Sequence, residues 1–140
     1  MTISTLIDTN VLVDVLRPEE DAMRPWSLRR LREATKSGGV VLGAVVWAEL
    51  CCSPLSEDAL TTIFAYLNPR REPFPFAAAF AAGRAHRVYR ERGGRRERTL
   101  PDFLIGAHAL VAGHRLLTRD AARYRAYFPT LDIIAPDTHP

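Results

Sequence analysis

The chain alternates between two kinds of segment, and that alternation constrains its fold more than any other feature. Short apolar runs rich in β-branched residues occupy positions 3–7 and 40–46, with shorter ones at 115–118 and 131–135. Such runs read as strands buried on both faces. A weaker run at 72–76 reads as a third strand, though Pro73 and Pro75 interrupt it. Between the runs lie stretches with helical periodicity. Positions 11–16 form a turn or two. Residues 22–37 place Trp26, Leu28, Leu31 and Ala34 on one face and end at Gly38-Gly39. Residues 47–52 form a short helix. Ser56 caps a helix over 57–67, and 77–92 form a long one with Phe80, Ala81, Ala85 and Val88 on its apolar face. Thr99 and Pro101 start a helix that runs to Ala112, and 120–127 form the last. Strands alternating with helices predict an α/β fold: a parallel sheet covered on both faces.

At 140 residues, with 47% hydrophobic and 25% charged residues, the chain is expected to form one domain with a real core, its tail at 136–140 frayed. No apolar run approaches the roughly 18 residues needed to span a bilayer. The N-terminal run is too short, and lacks the basic flank, for a signal peptide, so the expectation is a cytoplasmic protein with no membrane contact. Adjacent Cys51 and Cys52 read as buried small apolar residues rather than a disulfide or zinc pair.

Four acids fall at chemically informative places. Asp8 follows the first strand, in Asp8-Thr9-Asn10, and Asp120 follows the fourth. Glu49 and Asp102 fall in the first turns of predicted helices. In a parallel sheet these positions converge on the C-terminal edge of the strands, where ligands bind. Carboxylates crowded together do not all stay ionised without a cation, so the set reads as a divalent-metal site. Glu49 adds weight because its segment, Trp47-Ala48-Glu49-Leu50-Cys51, is otherwise uncharged.

Net charge is only +3, from 19 basic and 16 acidic residues, a weak sign of nucleic-acid binding. The distribution says more. Arg84, Arg87, Arg90, Arg92, Arg95, Arg96 and Arg98 cluster just ahead of Asp102, whereas Lys36 is the only lysine. Arg92, Arg95, Arg96 and Arg98, around Gly93-Gly94, are candidates to hold a phosphate backbone over the acids. His86, His108 and His114 read as helix-surface or core residues, with His139 in the tail. Tyr124, Tyr127 and Phe128 read as packing against the sheet.

Taken in order, Asp8-Thr9-Asn10, Glu49, Pro101-Asp102 and Thr118-Arg119-Asp120 resemble the PIN-domain nucleases, and among them the VapC-type ribonuclease toxins of bacterial toxin–antitoxin pairs. The resemblance covers residues 3–135. It implies a three-layer α/β/α fold around a parallel sheet of about five strands. It also implies that Asp8, Glu49, Asp102 and Asp120 are the catalytic acids, supported by Asn10 and Thr118. Asp8, Asp102 and Asp120 would then hold Mg²⁺ or Mn²⁺, which prefer oxygen ligands. The implied activity is metal-dependent endoribonucleolytic hydrolysis leaving 5′-phosphate and 3′-hydroxyl ends. The implied partners are an RNA substrate, a small VapB-like antitoxin and a second copy of the chain in a homodimer. The alternatives within the fold are an RNA-processing nuclease outside toxin–antitoxin systems and a non-catalytic RNA- or partner-binding module. Two other acidic α/β families fit worse. A haloacid-dehalogenase-type phosphatase needs a second Asp where Asn10 stands, and a receiver domain needs a late lysine.

Overall fold

The computed structural model describes residues 2–95 and 100–140. Five parallel strands form one sheet in the order β3-β2-β1-β4-β5. They are β1 (Thr5–Ile7), β2 (Val40–Gly43), β3 (Arg70–Glu72), β4 (Arg115–Leu117) and β5 (Ile133–Ile134). The helices among the described residues are α1 (Thr9–Leu16), α2 (Arg24–Lys36), α3 (Ala44–Leu50), α4 (Glu57–Phe64), α5 (Ala79–Glu91), α6 (Leu100–Ala112) and α7 (Ala122–Tyr127). None is long and apolar enough to cross a membrane. α1 packs on α2, and α6 packs on α5, α7 and β4. α3 touches both groups, so helices flank the sheet as α/β/α.

The central strands are buried throughout, as their unbroken apolar runs require. Leu6, Ile7, Val41, Leu116 and Leu117 are sealed from solvent, as are Leu12, Leu31, Leu60, Phe64 and Phe103 from the helices. Burying each such side chain contributes about 1.5–3 kcal/mol relative to leaving it in water.

Several boundaries differ from the sequence reading, each for a physical reason. The third strand lies at 70–72, ahead of Pro73, not at 72–76. Pro73 and Pro75 have no N–H for a ladder. The true strand, Arg-Arg-Glu, sits at the sheet edge with both arginines exposed, so it lacks an apolar signature. The second strand stops at Gly43, and the apolar run continues as α3, which places Glu49 in the last turn of that helix rather than the first. Helix α5 buries Ala82 and Ala85 against α6, while Phe80 is 71% exposed beneath the Arg84 guanidinium and Val88 also faces solvent. A face of alanines lets two helices approach closely. Cys51 and Cys52 are exposed free thiols rather than core residues, because α3 ends there.

The tail at 136–140 makes several side-chain contacts with the body of the domain. Trp26 Nε1 donates to the His139 carbonyl at 2.7 Å, Arg30 reaches the Pro140 carbonyl, and Arg125 grips Asp137 with two hydrogen bonds.

Candidate functional site

Strand order reverses at β1: the chain winds outward through β2 and β3, then crosses back to place β4 on the other side of β1. Crevices form at such switch points. The register pairs Ile7 with Leu117, so Asp8 and Thr118 leave the sheet side by side, and the Asp8 amide donates to the Leu117 carbonyl.

Asp8 caps α1. Its Oδ1 accepts from the Thr9 amide at 2.7 Å, while Oδ2 accepts from Thr118 Oγ1 at 2.8 Å and from the Tyr124 hydroxyl at 2.9 Å. Asn10 ties the two strand ends together. Its Nδ2 donates to Thr118 Oγ1 at 3.3 Å, and its Oδ1 accepts from the Arg119 amide at 3.2 Å. Thr118 Oγ1 also accepts from the Asp120 amide. Asn10 and Thr118 therefore orient Asp8 and Asp120 through a continuous network. Glu49 is exposed at the rim, not buried as its apolar surroundings suggested, and its Oε1 accepts from Thr9 Oγ1 at 2.7 Å. Asp102, in the first turn of α6, pairs with Arg123 at 2.7 Å.

All four acids line one cavity of about 320 Å³, with Thr9, Asn10, Val13, Arg17, Arg119, Arg123 and Tyr124 completing its walls. Its electrostatics are dominated by burial. Burial is the main reason that Asp8 is pushed up from 3.8 to about 6. The hydrogen bonds from Thr118 and Tyr124 oppose this rise, and the Asp102 charge reinforces it. Asp102 is also raised, first by burial and then by the charge of Asp120, against the pull of Arg123. Tyr124 is driven far up by burial and by Asp8 and Asp102, so it remains a neutral donor. The donor set consists of carboxylate oxygens, and Asp8 Oδ1, with one hydrogen bond, keeps capacity for a ligand. That chemistry fits a hard divalent cation.

Sequence reasoning missed part of the site. Tyr124 does pack under the sheet helices, but its hydroxyl reaches Asp8. Gly106 on α6 makes room, since a Cβ there would lie 3.1 Å from Tyr124 and 2.6 Å from Phe128. Asp14 is fully buried, accepts from Ser27 Oγ and ion-pairs with Arg119 at 2.7 Å. Its place one turn past Asn10 on α1 was the available signal. Arg123 also escaped notice; its guanidinium lies over the Tyr89 ring.

The basic segment is not gathered into the cavity as far as the described residues extend. Arg92 lies over the Tyr127 ring, and the Arg95 amide donates to the Tyr89 hydroxyl. Arg96 and Arg98 lie outside the described residues, as does Thr99.

Known structures share this architecture. A VapBC complex from Rickettsia felis bound to promoter DNA matches with a TM-score of 0.72 and 19% identity, over 95% of this chain and 98% of that one. FitAcB from Neisseria gonorrhoeae matches with a TM-score of 0.65 and 23% identity, over 97% and 99%. A Mycobacterium tuberculosis VapC described as a sarcin–ricin-loop-cleaving toxin matches with a TM-score of 0.56 and 21% identity, over 88% and 95%. At these identities the likeness speaks for the fold alone. No curated protein matches the sequence. The PIN-domain family model matches residues 5–129, nearly the whole chain; this protein therefore belongs to the PIN-domain family.

Proposed function

We propose that the protein is a Mg²⁺- or Mn²⁺-dependent endoribonuclease acting as the toxin of a type II toxin–antitoxin pair. The observation that carries this reading is the convergence of Asp8, Glu49, Asp102 and Asp120 on one cavity in which Asp8 and Asp102 are both held above the usual carboxylate range. Asp8, Asp102 and Asp120 would hold the cation, with Glu49 at the rim. Bound there, it would polarise a phosphate oxygen and lower the pKa of a water.

The chain's own residues account for the rest. Thr118, Tyr124 and the Thr9 amide fix the Asp8 carboxylate in one orientation, and Asn10 fixes Thr118. Arg17, Arg119 and Arg123 give the acidic cavity a basic wall suited to phosphate oxygens. Arg92 and Arg95, with Arg96 and Arg98 of the same sequence run, would add phosphate contacts to a single strand of RNA. Hydrolysis adds water across the P–O3′ bond, leaving a 5′-phosphate and a 3′-hydroxyl.

The toxin role draws support from the VapBC and FitAcB complexes that share the fold. A cognate antitoxin would place a cationic side chain among the carboxylates, in a charge-assisted contact. A homodimer belongs to the same reading. The test is cleavage of RNA by purified protein in Mn²⁺ or Mg²⁺, with Asp8→Asn and Asp102→Asn as controls. Equal cleavage by all three would assign the activity to a contaminant.

A further inference from the structure

A second cluster of ligating side chains lies away from the acidic cavity. Glu72 ends β3, His108 sits on α6 and His114 immediately precedes β4. His108 is almost two helical turns beyond Asp102, about 9 Å along the axis at 1.5 Å per residue, and His114 lies farther still. Both ring Nε2 atoms stand 2.8 Å from the same oxygen, Glu72 Oε1. The histidine side chains are only 3% and 8% exposed. One ligand atom from each residue falls within 4.8 Å of the others.

We propose that Glu72, His108 and His114 form a binding site for a borderline transition-metal dication, of which zinc is the type. The site is independent of the acidic cavity and of the nuclease reading. Two imidazoles and one carboxylate select such ions over magnesium, just as an all-carboxylate set selects magnesium. Zinc bonds of about 2.0–2.1 Å in tetrahedral geometry separate ligand atoms by roughly 3.3 Å. The present 2.8 Å contacts therefore need to open by only about half an ångström. Each imidazole would present its Nε2 lone pair, with the ring proton carried on Nδ1. Gly43 leaves space beside that atom, since a Cβ there would stand 3.2 Å from His108 Nδ1. The second Glu72 oxygen is held by Arg70, which also reaches Ser4. This guanidinium orients the carboxylate, and it is the one nearby cation among the described residues with a contact to the cluster. The three ligands come from the edge strand, the central helix and the start of β4, so a bound ion would clasp the edge of the sheet to its middle. That is a structural role.

The test uses tag-free protein carrying Asp8→Asn and Asp102→Asn, which disables the acidic cavity. Titration with Co²⁺ should give one equivalent of tight binding with the visible absorption of a nitrogen- and oxygen-ligated ion, and Zn²⁺ should raise Tm. Adding Glu72→Gln or His114→Gln should weaken Co²⁺ binding at least about 100-fold and remove the Zn²⁺ effect on Tm. Two results overturn the proposal. One is a doubly substituted chain that binds no Co²⁺ and shows no shift in Zn²⁺, which leaves a hydrogen-bonded clasp only. The other is Co²⁺ binding that survives the loss of either ligand. The first result needs no ligand variant to fold.

Discussion

The acidic cavity and the Glu72 cluster both withdraw carboxyl groups from water, and α6 contributes a residue to each, yet their electrostatics run in opposite directions. In the cavity, burial pushes Asp8 and Asp102 upward, Asp8 to about 6, and the charge of Asp102 on Asp8 and of Asp120 on Asp102 adds to the rise. At Glu72 burial pushes the same way, but hydrogen bonds from His114 and His108 outweigh it and hold the group at about 2. A carboxylate that is satisfied by its neighbours stabilises the fold. One that burial holds above its ordinary range costs stability when it is ionised. The contrast separates a carboxylate whose charge is met by neighbouring imidazoles from two that burial holds above their ordinary range, and four experiments, in order of expected effect, probe it.

The largest effect is on cleavage. Asp8→Asn or Asp102→Asn should reduce metal-dependent RNA cleavage by well over about 100-fold, the loss typical of disturbing even an outer-shell partner of a metal site. Glu72→Gln should leave cleavage in saturating Mg²⁺ within a few-fold of wild type. An equal loss from Glu72→Gln would erase the functional distinction between the two regions.

The second effect is on stability and pH. The folded state holds its proton at Asp8 to about pH 6, whereas the unfolded chain releases it near 3.8. Between those values the folded state binds more protons, so metal-free stability should rise as pH falls from 7 towards 4, by up to about 3 kcal/mol. Asp8→Asn should reduce this rise, leaving the part that Asp102 contributes. Glu72 acts in the opposite sense. Its stabilisation is present above the unfolded value of 4.5 and is lost as pH falls towards 2. Chemical denaturation of the metal-free protein across about pH 3–8 measures both, and a wild-type curve with no gain below about pH 7 would contradict the reading of Asp8.

Third, Thr118→Val and Tyr124→Phe each remove one donor to Asp8 Oδ2. Each should raise the Asp8 pKa further, shift the acid limb of the cleavage profile to higher pH, and lower cleavage by about 10- to 100-fold. An unmoved acid limb would mean that another group sets it. Smallest is the effect of the basic segment. Replacing Arg92 and Arg95 together should weaken RNA binding and reduce the magnitude of its salt slope by about 0.7 for each phosphate that is no longer neutralised. An unchanged slope would remove both from the RNA path.

The sequence was most informative where chemistry is local. The runs at 3–7 and 40–46 marked the central strands because a strand buried on both faces has to be apolar along its length. Asp8-Thr9-Asn10 and Thr118-Arg119-Asp120 marked the site because polar residues just past such strands fall at the sheet's C-terminal edge. The sequence misled where the surroundings decide. The edge strand Arg70–Glu72 carries exposed charged residues, the face of α5 follows from which helix packs on it, and Glu49 reaches the rim although its neighbours in sequence are apolar.

The α/β alternation and the placement of the four acids at strand ends or on helices were legible in the sequence alone, because each depends on position relative to one strand or helix; Asn10 and Thr118 entered through the family resemblance. Only the tertiary structure decided that Tyr124 bonds to Asp8 across 116 residues, that Arg123 shields Asp102, and that Glu72 meets His108 and His114. Those pairings depend on strand order and helix packing, which bring together groups that carry no local signal of one another.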